Sequence, residues 1–547
     1  MYSQINTKSE NYEKNWIKFV AVSLFILGFI NILSAWLSFD SSRLKLIDHI
    51  LDYQIITGSR YLVIFTGIAA LILAPALYRQ KKIAWYASVI TLGISGFAHI
   101  LKGADVEEAG ICLILFGILL PLFKYCKVKS DPVRARRGGL ILVIAFIFVL
   151  FYTILGLFIF SDKLGVDTLK YPVWSMALDA LAFNTSALKP VGLEAKFYIN
   201  SLFLINSISY LTGLIFALSP VIARRLPDIN YDKYKKLTKE KSSQPVQFFT
   251  LNNNYQHFYY KNNETEGLIS YKVFNRVALA IGNPCFTGSL DEITSKWLNM
   301  VHEHDWIPAV YQAQGDFVEI MKQKNFNAVP IGVEAVVNLE KFTLEGKKMQ
   351  QLRTGKNKAE KEGWYIRNYK KSDLNKVKNL DLKWLSVHGK KENTFAMGKS
   401  SAEYLEETKT SLLLDKEDNL LAYINNIELP QSNTLSVDLM RRDPSSPQGV
   451  MEYLFLKEIL SAKENGKAFY DLGFSPLARA DEVFSDNKTV SKLFELIFKK
   501  QKKYYDFQGL HMFKSKFNPE WQQSYLLYTN TLELPMILMG LLKLNNQ

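Results

Sequence analysis

Cysteine is scarce in this chain of 547 residues: Cys112, Cys126 and Cys285 stand far apart and form no Cys-x-x-Cys pair. That excludes a disulfide framework and a zinc site of ordinary spacing. Histidine is nearly as rare, and the one close pair, His302 and His304 in HEHDW, reads as an exposed polar helix end and not as a metal site. No P-loop and no dinucleotide glycine fingerprint is present, which removes the two commonest phosphate cradles. No GxSxG elbow appears either, which removes the usual route to a serine triad. No cleavable signal peptide is expected in the first apolar run, which is too long and lacks a small-residue cleavage site. Acidic residues are outnumbered, 52 against 66 basic, for a formal net charge of +14. That balance suits anionic partners such as phospholipid headgroups or nucleic acid. Basic cytoplasmic loops of a membrane protein would account for it equally well.

What is present falls into two regimes that meet near Arg224. Before it lie six runs long enough to cross a bilayer, near Ile17–Phe39, Tyr61–Tyr78, Ile83–Leu101, Gly110–Cys126, Gly139–Phe160 and Phe197–Ile222. Arg79, Lys81 and Lys82 follow the second run, and Lys124, Lys127, Lys129, Arg134, Arg136 and Arg137 follow the fourth. Arg224 and Arg225 follow the sixth, whereas Lys102–Ala109 carries Asp105, Glu107 and Glu108. Basic loops stay inside, so both termini are expected in the cytoplasm. His99 and Tyr210 are polar handles within spans. The connection Ser161–Lys196, with Trp174, Met176 and Leu178, suits a re-entrant or interfacial helix on the outer side, and Asp179 and Asn184 read as solvated loop residues or, alternatively, as functional positions there.

After Arg224 the pattern is that of a globular α/β protein. Residues 227–246 are polar and lysine-rich and read as a linker. Strands are expected at Phe248–Asn252, Gly267–Val273, Arg276–Gly282, Trp306–Ala313 and Ala328–Leu339, with helices at Ser289–His302 and Phe317–Lys324. A second round has strands at Gly363–Tyr369, Leu420–Ile427, Thr434–Met440 and Ala468–Leu472. Its helices are expected at Ser372–Trp384, Ser400–Asp415 and Gly449–Asn465. The last of these puts Met451, Phe455, Ile459 and Ala462 on one face and stops at Gly466. Two successive rounds suggest an α/β domain pair, at 247–344 and 364–547. Glu345–Gly363 joins them as helix, turn near Gly355 and helix again, exposing Lys347, Lys348, Arg353, Lys356, Lys358 and Lys361. Such a charge run is either a solvated face or a contact for RNA or anionic lipid.

Two short stretches carry chemistry. In Thr434–Met440, period two puts Leu435, Val437 and Leu439 on one face and Ser436, Asp438 and Met440 on the other. A carboxylate within an apolar strand is costly unless paired, and Arg441 at the strand's end can turn back to it. The pair reads as a structural ion pair or as part of a site. The same alternation over His511–Phe517 sets Lys514 and Lys516 on one face, as surface cations or as groups that polarise an ester carbonyl and hold its oxyanion.

In order along the chain stand RVALAIGNP, WIPAVYQ, IGVEAVVNLEKFTLEGKKMQQLR, FAMG, VDLMRRDP, DLGFSPLA and FQGLHMFKSKFNPEW. This ordered set, over Tyr271–Tyr528, resembles the phosphatidylglycerol lysyltransferase family, also called multiple peptide resistance factor. The resemblance implies an α-helical transmembrane bundle followed by a cytosolic α/β region of tandem GNAT-like folds. It implies direct transfer of an amino acid, lysine first and alanine or arginine as alternatives, from charged tRNA to the headgroup hydroxyl of phosphatidylglycerol. Membrane negative charge and attraction for cationic antimicrobial peptides would both fall. The implied setting is the bacterial cytoplasmic membrane, with no cofactor, aminoacyl-tRNA as co-substrate and room for an oligomer. The family's Asp-x-x-Arg pair and first lysine of its FKSKF-like run fall on Asp438, Arg441 and Lys514 as catalytic candidates. Lys516, His511, Tyr505, Arg353 and Lys356 are substrate-binding candidates. Two departures stand out: His511 occupies a place where the family often has arginine, and long members carry many more spans, associated with lipid flipping. The apolar Leu532–Leu544 is expected either on the bilayer or in the core. Acyl-CoA-dependent N-acyltransfer is the second reading, although RRDPSSPQG after Asp438 is a poor pyrophosphate loop. A membrane protein whose soluble half only binds lipid or RNA is the third.

Overall fold

The computed structural model describes residues 2–36, 53–103, 105–130, 132–165, 176–177, 179–180, 188–219, 231–251, 255–388, 398, 400–476 and 507–545. The chain forms two compact units: Met1–Ile222 with His302–Trp306, and Ala223–Val301 with Ile307–Gln547.

In the first unit the long helices are α1 (Tyr2–Trp36), α2 (Tyr53–Tyr78), α3 (Lys82–Gly103), α4 (Val106–Leu119), α5 (Pro132–Ile159) and α6 (Leu193–Ala217). All 6 contain a stretch long and apolar enough to cross a membrane, and in α4 that stretch continues through a 3-10 turn to Tyr125. Phe25, Ile90, Leu113 and Phe158 lie exposed on them, a pattern suited to lipid and not to water. α1 and α2 meet at two glycines. A Cβ on Gly28 would stand 2.8 Å from the Gly67 oxygen, and one on Gly67 2.9 Å from the Gly28 oxygen, so only glycine permits that approach. His99 is fully buried and bonded to Asn31 at 3.1 Å, and Tyr210 packs against the cluster around Tyr198. Trp174, Leu178 and Asn184 lie outside the described residues.

The second unit is built on one 12-stranded sheet. Its strands are β1 (Gln256–Lys261), β2 (Glu266–Phe274), β3 (Val277–Ile281), β4 (Cys285–Thr287), β5 (Ile307–Ala313), β6 (Asn327–Asn338), β7 (Tyr365–Asn368), β8 (Lys409–Leu414), β9 (Leu420–Leu429), β10 (Thr434–Arg442), β11 (Phe469–Pro476) and β12 (Glu520–Tyr528). They run in the order β1-β2-β3-β5-β12-β6-β11-β10-β9-β8-β7, with β4 also on β2. Only β3–β5 and β10–β11 are parallel among the described pairings. A helix joins each parallel pair, which gives the two rounds the same strand–helix–strand centre and matches the tandem fold expected.

The remaining helices are α7 (Tyr231–Lys241), α8 (Pro245–Phe249), α9 (Leu290–Glu303), α10 (Gly315–Gln323), α11 (Gln350–Lys361), α12 (Leu374–His388), α13 (Ala402–Glu407), α14 (Val450–Glu464), α15 (Phe507–Ser515) and α16 (Leu534–Asn545). One core gathers Leu279, Leu412, Tyr423 and Leu439 with Ile537 and Leu538 of α16. The other gathers Leu413, Leu435, Val437 and Tyr470 with Phe455 and Ile459 of α14. α16 thus resolves the alternatives for Leu532–Leu544: its apolar face fills the core.

Several elements depart from the sequence reading. Phe248 and Phe249 end α8 instead of opening a strand, because Pro245 needs no N–H at a helix start and Gln247 accepts from the Gln244 N–H at 2.9 Å. The expected linker contains α7, which buries Tyr234, Leu237 and Thr238. Lys409–Leu414 is strand and not helix; a short apolar run has no periodicity to tell the two apart. Helix α11 runs through Gly355 without a turn, although glycine there costs about 1 kcal/mol relative to alanine. His511–Phe517 is the end of α15 and a turn, not a strand, so the alternation assumed for its lysines does not apply. β1, β4 and β12 were not anticipated.

Candidate active site

Asp438 and Arg441 owe their common direction to a bulge. On β10, Val437 pairs with Asn426 and Met440 with Ile424, so β10 carries one residue more than β9 across that step. Leu435 and Val437 face the α14 core, whereas Leu439 falls into the opposite core beside Tyr423. Strict alternation would set Asp438 and Arg441 on opposite faces. The extra residue turns both toward α12 and α13. Asn425 fastens the bulge by accepting from the Leu439 N–H at 2.7 Å.

The Asp438 carboxylate accepts from the Tyr404 hydroxyl at 2.6 Å and from the Gly398 N–H at 3.0 and 3.2 Å. Burial, and then the Asp438 charge, push the Tyr404 hydroxyl well above its ordinary range, so it stays a donor. A Cβ on Gly398 would lie 2.3 Å from Asp438 Oδ2, which makes that glycine obligatory to the contact. Arg441 Nη1 stands 2.7 Å from Asp381 Oδ1, and its guanidinium lies 5.2 Å over the Trp384 ring. Asp381 also accepts from the hydroxyls of Tyr423 and Ser400, each at 2.6 Å. Arg441 therefore has Asp381 as an ion partner, where the sequence suggested Asp438.

Lys514 sits on the other side of Gly473. Its side chain is 2% exposed and donates to the Gly473 and Phe474 carbonyls at 2.7 and 3.1 Å. Gly473 has φ +84°, and a Cβ on it would lie 3.3 Å from the Val437 oxygen and 3.7 Å from Lys514 Nζ. The Gly473 backbone is thus wedged between the lysine and the peptide that precedes Asp438. Burial lowers the Lys514 ammonium to about 8, against the pull of Asp471 and Glu334. Asp471 accepts from the Ser436 hydroxyl at 2.7 Å and the Gly473 N–H at 2.8 Å.

The other candidates are dispersed. Lys516 stands 2.7 Å from Glu452 Oε1 and does not share Lys514's buried position. His511 stacks on Trp521 with centroids 4.2 Å apart. Arg353 donates to the Leu344 carbonyl and, at 2.9 Å, to that of Gly346, holding the segment that leads into α11. Lys356 lies 3.9 Å from Glu360, one turn along. Tyr505 lies outside the described residues. A cavity of about 360 Å³ opens between Val337, Phe342, Lys347, Lys348, Phe517 and Glu520, so the basic connection meets the turn after α15 there. Among the described residues, the grouping with metal-like geometry is His99, Asp105 and Glu108 in the first unit, where Lys102 already pairs with Asp105 at 2.7 Å.

Sequence reasoning missed Asp381, Tyr404, Tyr423, Glu334 and Asp471. Glu334 carried a signal: it is the lone carboxylate within the apolar run of β6. Asp471 opens the DLGFSPLA motif without having been given a role. Asp381 and Tyr404 reach Asp438 and Arg441 only through tertiary packing.

A family profile described as phosphatidylglycerol lysyltransferase, C-terminal, matches residues 234–528. The phosphatidylglycerol lysyltransferase of Bacillus subtilis (strain 168) is 27% identical over 517 residues, covering 93% of this chain and 57% of that protein. The protein of the same name from Staphylococcus aureus (strain COL) is 23% identical over 537 residues, covering 95% of this chain and 59% of its own length. The chain thus spans less than two thirds of these relatives. The solved structure of L-PGS from Bacillus licheniformis, 24% identical, superposes with a TM-score of 0.52 over 59% of this chain and 99% of that one. Its fold is that of the second unit.

Proposed function

The chain belongs to the phosphatidylglycerol lysyltransferase family, and from that membership we propose that it transfers an amino acid from aminoacyl-tRNA to phosphatidylglycerol at a membrane. Lysine is the first donor to test, with alanine and arginine as alternatives. The observation that carries the reading is the bulge in β10, which gathers Asp438 and Arg441 on one face within a unit matched to this family. Six apolar helices fit a multi-pass protein that keeps such a site close to its lipid acceptor. In this reading the unit lies on the cytoplasmic side of the bacterial cytoplasmic membrane, where charged tRNA is found.

In the reaction, a headgroup hydroxyl attacks the aminoacyl ester carbonyl. The tetrahedral centre collapses as the tRNA ribose oxygen leaves and takes up the proton that the hydroxyl gives away. The ester is already reactive, so orientation and electrostatics can supply most of the acceleration. Asp438, fixed by Tyr404 and Gly398, offers a carboxylate to the donor's α-ammonium. Arg441, fixed by Asp381 and Trp384, orders the wall beside it. Lys514 holds the Gly473 backbone against the peptide that precedes Asp438. The product adds a cation to an anionic lipid and weakens its attraction for cationic peptides.

Mass spectrometry of phosphatidylglycerol vesicles incubated with the purified protein and mixed charged tRNAs, with and without RNase, tests this. A new aminoacyl-lipid that disappears with RNase is expected, and its mass names the amino acid. A product formed from acyl-CoA instead, or tRNA binding without any lipid product, would overturn the reading.

A further inference from the structure

Three ionisable side chains lie inside the second unit on three different elements. Glu334 of β6 is 4% exposed, Asp471 of β11 2% and Lys514 of α15 2%. They meet where one strand pairing slips and another ends. β11 shifts register against β6 between Asp471 and Phe474, and its parallel pairing with β10 covers only Thr434–Ser436. Lys514 fills the slip by donating to the Gly473 and Phe474 carbonyls. Glu334 pairs in register with Phe474 and receives a hydrogen bond from Gln314, which also donates to Ser524 at 2.6 Å. Ser436 and the Gly473 N–H serve Asp471.

One ammonium cannot neutralise two carboxylates. Fully ionised, the group would leave one negative charge sealed from water, and an uncompensated buried charge costs several kcal/mol. A proton kept among the three removes that cost.

We propose that Glu334, Asp471 and Lys514 share one proton, and that Glu334 is a positioning residue whose protonated form lets Lys514 hold the β11 bulge beside Asp438. Geometry and the charge count carry this, and the titration behaviour agrees. Burial, and then the Asp471 charge, raise Glu334 to about 8, and Lys514 is lowered to about 8, so the group changes charge close to that pH. Tyr470, which burial keeps protonated, also feels the Asp471 charge, and Glu458 acts on Tyr470. The consequence for transfer rests on the proposed function; the shared proton does not.

The test uses the full chain in phosphatidylglycerol nanodiscs, comparing wild type with Glu334→Gln, Asp471→Asn and the exposed control Glu264→Gln. Unfolding temperature and aminoacyl-lipid formation are followed across pH. Glutamine mimics the protonated acid. Glu334 has a folded pKa of about 8 against 4.5 unfolded, so the wild type loses stability as pH rises through that window. Glu334→Gln should therefore gain unfolding temperature relative to wild type up to about pH 8 and then level off, while Glu264→Gln tracks wild type throughout. The alkaline fall in transfer should move by about one pH unit or more in Glu334→Gln. A wild-type–Glu334→Gln difference that stays constant with pH overturns the proposal. If Glu334→Gln does not fold, Asp471→Asn decides by the same scan. Removing the Asp471 charge must shift the wild-type break to lower pH, and an unmoved break overturns the proposal. Absence of any aminoacyl-lipid from wild type would end the transferase reading and leave the unfolding scan as the test of the proton.

Discussion

The Tyr404 hydroxyl donates to Asp438 Oδ2 at 2.6 Å, so a tyrosine on α13 fixes the carboxylate at the bulge of β10. Tyr404→Phe keeps the ring in its core and removes that bond, together with the hydroxyl's hydrogen bond to Asn425. A buried acceptor that loses its donor costs about 1–3 kcal/mol. Denaturant unfolding should register that loss, and aminoacyl-lipid formation should fall by about tenfold or more if the transition state feels as much. Unchanged transfer in Tyr404→Phe would remove this bond from the mechanism.

Arg441 and Asp381 should behave as a unit. Arg441→Ala leaves the Asp381 carboxylate buried against Tyr423, and breaking such a pair costs about 3–5 kcal/mol. Combining Arg441→Met with Asp381→Asn should recover much of that stability without recovering transfer. A double-mutant cycle on unfolding free energy measures the coupling, and simple additivity would show that the two do not depend on each other.

Gly398→Ala tests the same carboxylate from its other side. The new methyl would fall 2.3 Å from Asp438 Oδ2 and from atoms of the Tyr404 ring. One of the three groups must shift. Transfer should drop by at least about tenfold, as expected where positioning supplies the rate. A rate assay beside thermal unfolding separates displacement of Asp438 from general loss of the fold.

Lys514 bears on stability as well as on activity. By the family resemblance Lys514→Ala should abolish transfer, and burial beside Asp471 and Glu334 adds a stability cost of about 3–5 kcal/mol. Lys514 also makes stability depend on pH. Its folded pKa of about 8 lies below the ordinary 10.5, so the unfolded chain binds more protons between those values. Wild type should therefore gain stability relative to Lys514→Met as pH rises from about 8 to 10.5. Parallel stability curves would show that the ammonium is not desolvated in solution.

Long periodic segments were legible. The six apolar runs, β2, β3, β5, β6, β10 and the amphipathic α14 lie where hydrophobic spacing put them. Errors fell where spacing carries no information. Lys409–Leu414 is too short for its period to decide, and β10 is regular in sequence but bulged in space. For His511–Phe517 the lysine alternation imitated a strand, while Phe513 and Phe517 sit four apart as helix and turn require. Asp438 and Arg441 could be picked out by type and place, but Asp381, Tyr404 and Gly398 join them only after the chain has folded.

Strand β12 comes last along the chain yet lies between β5 and β6, in the middle of the sheet. During synthesis the ribosome releases β5 and β6 long before it makes the strand that separates them. The central slot must stay vacant, or be filled by something else, until the final stretch emerges. Shortening the chain from its C-terminal end therefore removes the keystone and not an edge, and neither round is left with a complete sheet of its own.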